Sequence, residues 1–102
     1  MNNEYQEELE KLRHSIDAID DVLYRTLEFR VSMIVKIAEL KKKHGVTEMS
    51  SERRDEIYER VKGWAIEDGI PVSLVMKIYD TIFEYSVLEQ TLIIHDNQKE
   101  MD

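Results

Sequence analysis

The chain has 102 residues, 42% of them hydrophobic and 35% charged, with a net charge of −8, which suits a single domain with a modest core. Three glycines, one proline and no cysteine exclude a loop-rich β protein, a disulfide scaffold, a thiolate metal site and a cysteine nucleophile. The negative balance argues against nucleic acid, whose binding rests on cationic contacts to phosphate, and no apolar run approaches the roughly 18 residues of a membrane span.

The opening MNNEYQEELE carries four glutamates and no apolar core, so no signal peptide is expected and the chain reads as cytoplasmic. From Glu4 to His44 there is neither glycine nor proline. Leu9, Leu12, Ile16, Ile19 and Leu23 recur at spacings of three and four, the periodicity of a helix face. The same stripe continues through Thr26 or Leu27 to Arg30, Ile34, Ile37 and Lys41, and Gly45 supplies the stop. Lys41, Lys42, Lys43 and His44 suit the negative end of a helix dipole. A helix of about 40 residues is roughly 60 Å long, whereas a compact chain of this size is only about 30–35 Å across. The rest of the chain is too short to cover that stripe, so its length calls for a second copy and predicts a homodimer.

The segment His44–Ser51 is the first connection, with Ser50 or Ser51 as N-cap and Glu52 in the first turn. A second helix is expected to run to about Asp68, with Ile57, Val61, Trp64 and Ala65 facing inward. Gly69-Ile70-Pro71 ends it. A third helix is expected from Val72 or Ser73 to about His95, with Val75, Ile78, Tyr79, Ile82 and Ile93 as its apolar positions. The tail at about 97–102 is polar and expected to fray. Residues 1–102 therefore read as a single all-α domain of three helices, the first very long.

Polar residues interrupt the apolar stripes. Arg30 and Lys41 differ by only about 20° around the first helix, so both point into whatever that face covers. Each is paired with a buried carboxylate, snorkels to solvent, or is aimed at an anionic ligand. Ser86 and Gln90, at i and i+4, continue the Val75–Tyr79–Ile82 stripe and either bond a neighbouring helix or face a ligand. Arg13 faces about 100° away from Arg30 and in a dimer could reach the partner. Arg53 and Arg54 open the second helix, where the dipole prefers acids, which hints at an anion. Cations converging on a helical core with neutral donors and no nucleophile suit binding a small dianion. His14, His44 and His95 lack the spacing of helix metal ligands, so no metal is expected. Asp17, Asp20 and Asp21 read as a solvated face, and the aromatic residues Trp64, Tyr79, Phe83 and Tyr85 as core.

Over nearly its whole length the chain resembles the all-helical class of chorismate mutases. The resemblance rests on Leu12-Arg13-His14-Ser15-Ile16-Asp17-Ala18-Ile19-Asp20, then Arg30, Lys41 and Arg53, and on Glu84-Tyr85-Ser86-Val87-Leu88-Glu89-Gln90. It implies an intertwined homodimer with shared active sites that rearranges chorismate to prephenate without a cofactor, in aromatic amino acid biosynthesis. It implies that Arg13 reaches a carboxylate from the partner chain while Arg30 clamps one in its own site. Lys41 and Gln90 would donate to the ether oxygen, Arg53 would organise the C4 side, and Ser86 would bind a carboxylate or position a neighbour. Two positions depart from the family. Its glutamate for the C4 hydroxyl falls at Arg54, and an upstream aspartate falls at Ser50; Glu52 or Asp55 could substitute only with a shift in register. Isochorismate-pyruvate lyase, a related family, dispenses with that glutamate and is the alternative reading; Trp64-Ala65-Ile66-Glu67-Asp68-Gly69 also looks like it. A further alternative is a weakly active or non-catalytic dimer that acts through a partner enzyme of aromatic biosynthesis. An amino-substituted chorismate is disfavoured, because Arg54 would repel an ammonium.

Overall fold

The computed structural model describes residues 2–96, whose regular structure is three helices: α1 (Asn2–Lys43), α2 (Ser51–Asp68) and α3 (Val72–Ile94). The polar tail expected at 97–102 lies outside the described residues. Among the described residues no helix is long and apolar enough to cross a membrane.

Two helices end by the same device. Gly45 and Gly69 take positive φ angles of 70° and 71°, the left-handed conformation in which a Cβ is strained. At the first, the amides of Val46 and Gly45 bond back to the carbonyls of Lys41 and Lys42, at 2.8 and 3.2 Å. At the second, the amide of Ile70 reaches the carbonyl of Ala65 at 2.9 Å. Both close carbonyls that a helix end otherwise leaves open. Ser50, rather than Ser51, caps α2: its side chain accepts from the Arg53 amide at 3.1 Å. Pro71 opens α3 without a side-chain cap, and its carbonyl accepts from Leu74 and Val75.

The chain divides into two units, Met1–Met33 and Ile34–Asp102. The first is a stretch of α1 whose apolar stripe is largely uncovered in the single chain. Leu12 and Leu23 are 62% and 65% exposed, and Ile16 and Ile19 are also exposed. Exposed ion pairs one turn apart brace the backbone there: Lys11–Glu8, Arg13–Glu10 and Arg25–Asp21, at 3.8, 3.1 and 3.3 Å.

The second unit packs the end of α1 with α2 and α3. Its buried apolar side chains are Ile34, Ala38, Ile57, Val61, Ala65 and Ile94. Tyr58 and Phe83 meet edge to face with centroids 5.0 Å apart, and Tyr79 lies 6.0 Å from Phe83. Lys42 Nζ donates to the Asp96 carbonyl at 2.6 Å, fastening the chain just past α3 to the end of α1. Four expected core residues are more open than periodicity suggests, exposed Tyr85 among them. Ile37 and Ile78 are exposed, and the buried line of α1 runs through Ala38 instead. Trp64, 54% exposed, sits at the rim of the Ile57–Val61–Ala65 arc with the Arg60 guanidinium 5.7 Å from its ring centroid.

Because the Ser50 hydroxyl makes the cap, Ser50→Ala should lower the unfolding free energy by about 1 kcal/mol. Ser50→Asp, whose carboxylate caps equally well, should leave it nearly unchanged; denaturant melts of both variants check this.

Candidate active site

The end of α1 and the last turns of α3 bring a cation and an amide together. Lys41 sits in the last turn of α1, just before the glycine stop, and is half-buried. Its ammonium donates to Gln90 Oε1 at 2.8 Å and to the Glu48 carbonyl at 3.0 Å, with Met49 Sδ at 3.8 Å. All three partners are neutral. Of the readings open for this lysine, pairing with a buried carboxylate is not the one seen: its ammonium is turned to Gln90 and the Glu48 carbonyl. Its full positive charge stands over an amide, a peptide carbonyl and a weakly accepting thioether.

Gln90 is buried, 8% exposed, and its position on α3 is that read from the stripe. An ammonium can face only the oxygen of an amide, so the bond to Lys41 turns the Gln90 NH₂, a donor, away from the ammonium. Ser86, one turn earlier on the same face, is also buried and donates to the Ile82 carbonyl at 2.9 Å. Lys41, Ser86 and Gln90 therefore lie in one cluster of the second unit. Among the described residues no group of three side chains suited to a metal ion is present.

The other candidate residues lie elsewhere. Arg13, in the first unit, is exposed and bonded to Glu10 at 3.1 Å, and Arg30 is half-buried in the same unit. Arg53 opens α2 and pairs with Glu56 at 3.2 Å. Arg54 Nε lies 3.7 Å from Asp55, and both side chains are exposed. Ser50 caps α2, and Asp55 stands next to Arg54 as its ion-pair partner.

A groove between α2 and α3, lined among others by Arg54, Tyr58, Asp80, Phe83, Glu84 and Val87, was not read from the sequence. Within it the Tyr58 hydroxyl donates to Asp80 Oδ1. That bond holds the phenol above the ordinary tyrosine range; partial desolvation and the charges of Asp80 and Glu84 act in the same direction, and Arg54 opposes them. The signal was present in the spacing: Tyr58 and Asp80 stand equally far from Gly69 on either side, as partners in an antiparallel helix pair must.

Residues 12–91 match the family described as chorismate mutase type II. The chain belongs to that family. A 4-amino-4-deoxychorismate mutase of Streptomyces venezuelae is 35% identical over 76% of this chain and 75% of its own length. A chorismate mutase of Methanocaldococcus jannaschii is 26% identical over 90% of this chain and 93% of its own. A 4-amino-4-deoxychorismate mutase of Streptomyces pristinaespiralis is 30% identical over 72% of this chain and 57% of its own. No solved structure matches the chain significantly. As a type II chorismate mutase the chain is an isomerase, and the all-helical architecture described above is the one its resemblance implies.

The raised Tyr58 phenol gives a pH test. Its neutral form is the one bonded to Asp80, so the bond persists at neutral pH and is lost as pH rises through the raised value. In ultraviolet titrations, the component removed by Tyr58→Phe should ionise above the ordinary tyrosine range, and Asp80→Asn should bring it down. Coincident curves for wild type and Asp80→Asn would refute the assignment.

Proposed function

We propose that the chain converts chorismate to prephenate by holding it folded between cations while Lys41 and Gln90 donate to its ether oxygen. The reaction is unimolecular: the ether C–O bond breaks as a C–C bond forms, and negative charge gathers on the departing oxygen. Catalysis then consists of fixing the reactive conformer and stabilising that charge. The observation that carries the reading is the Lys41–Gln90 bond at 2.8 Å, made by an ammonium with no carboxylate partner. An ammonium has three donors, of which Gln90 and Glu48 take two; the third lies toward Met49 sulfur, a weak acceptor that an oxyanion displaces. The fixed charge interacts more strongly with the transition state than with the neutral ether of the ground state.

On this reading Arg30 binds one substrate carboxylate, and Arg13 of the partner subunit binds the other. Arg53 organises the C4 side beside Arg54, and Ser86 orders the wall next to Gln90. A homodimer is supported by the exposed stripe Leu12–Ile16–Ile19–Leu23, and by the apolar outer side of α3 at Leu74, Ile78 and Leu92. No cofactor enters. We place the enzyme in the cytoplasm, in aromatic amino acid biosynthesis. The relatives named as mutases support this over the isochorismate-pyruvate lyase alternative, and an ammonium supplied with uncompensated charge supports catalysis over a silent dimer.

A complementation experiment tests the lysine and the shared site together. Lys41→Ala and Arg13→Ala should each lower kcat by roughly 10²-fold or more while keeping the helical circular dichroism of the wild type. Refolded together in equal amounts, they should recover about a quarter of wild-type activity, since half of the dimers are hybrids with one intact site. An unfolded Lys41→Ala variant, or a mixture as inactive as its components, would contradict the assignment.

A further inference from the structure

The groove beside Gln90 carries charge that neither the carboxylates nor the ether oxygen of the substrate uses. On the α2 side stand Arg54 and, one turn later, Tyr58; on the α3 side stand Asp80 and, one turn later, Glu84. The Tyr58 ring packs edge-on against Phe83, and its hydroxyl is committed as donor to Asp80. The phenol oxygen therefore presents its remaining lone pair to the groove as an acceptor. Arg54 is drawn toward Asp55. One cation thus faces two carboxylates across the groove, with a third carboxylate on its own flank. Read from α2 alone, Arg54 makes this region cationic; with α3 in place the region is acidic.

The position of the groove matters as much as its charge. Val87 and Thr91 line it, and Gln90, the residue before Thr91, bonds Lys41, so the α3 wall of the groove and the Lys41–Gln90 pair share the last turns of α3. In chorismate the ring carbon that carries the ether is bonded directly to C4. With the ether oxygen at Lys41 and Gln90, the C4 substituent is the next polar group along the ring. Two walls of the groove supply acceptors for it, the Tyr58 oxygen and the carboxylates of Asp80 and Glu84. A hydroxyl needs one of these, whereas an ammonium has three donors and a positive charge to place. A substrate bearing that ammonium also carries one negative charge fewer, and a chain of net charge −8 repels it less.

On the reading that Lys41 and Gln90 hold the ether oxygen, we propose that this groove receives the C4 substituent, that Asp80 and Glu84 are the specificity-determining residues there, and that the enzyme takes 4-amino-4-deoxychorismate at least as efficiently as chorismate. The two Streptomyces relatives named for that substrate agree with the assignment. The proposal replaces the expectation that Arg54 excludes an ammonium.

The test is kcat/KM for both substrates on the wild type and three variants. Asp80→Asn keeps an oxygen to accept from Tyr58 while losing the charge, and Glu84→Gln alters an exposed side chain, so both should fold. Each should lower the amino-to-hydroxy ratio of kcat/KM roughly tenfold, the change expected when one close charge pair with the substrate is lost. Arg54→Glu, which puts an acid on the opposite wall, should raise the ratio. Ratios unmoved by both neutral variants would overturn the proposal. So would a wild type active on chorismate alone, although the mutase reading would then stand. A folded wild type active on neither substrate would remove the mutase reading itself, and this proposal with it.

Discussion

The site depends on one constraint: the Lys41 ammonium, half-buried, must be held in place by groups that do not neutralise it. Three separate parts of the chain meet that condition. The glycine stop after Lys43 turns the backbone so that the Glu48 carbonyl comes back over the lysine it follows. The α2–α3 hairpin sets the height of α3, which brings Gln90 to the end of α1. Lys42 holds the segment after α3 against that same end through the Asp96 carbonyl. A carboxylate in place of the Glu48 carbonyl or the Gln90 amide would anchor Lys41 better and would cancel the charge that the proposed reaction uses.

Charge at the site runs against charge on the whole. A chain of net charge −8 repels a dianionic substrate, so binding must come from cations concentrated where the carboxylates lie. In the proposed reaction Arg13 and Arg30 supply them from α1 and Arg53 from the start of α2. The groove at Asp80 and Glu84 has the opposite character. The substrate is itself arranged in that way, with its anionic groups set apart from a C4 position that carries a neutral or cationic group. On the proposed assignment, specificity at C4 can change at Asp80 and Glu84 while the Lys41–Gln90 bond stays in place.

Much of this was legible before any coordinates. Helix ends follow from local chemistry, so Gly45, Gly69 and a serine cap were readable, and the α1 stop falls within a residue or two of the expected one. Ser86 and Gln90 were visible because a polar pair at i, i+4 interrupts an apolar stripe. What periodicity does not hold is which face meets which. Ile37, Trp64 and Ile78 carry apolar side chains at helix spacing but lie on faces that this chain alone leaves open. The Tyr58–Asp80 bond needs the register of two helices about Gly69, and the character of Arg54 is set by acids on another helix. The contacts that a sequence conceals are those between elements, here the Lys41–Gln90 and Tyr58–Asp80 bonds.

The most direct test is to incubate the purified protein separately with chorismate and with isochorismate and separate the products chromatographically. The account predicts prephenate from chorismate at an enzymatic rate and little reaction with isochorismate. Salicylate and pyruvate from isochorismate, with little prephenate from chorismate, would contradict it and identify the lyase instead.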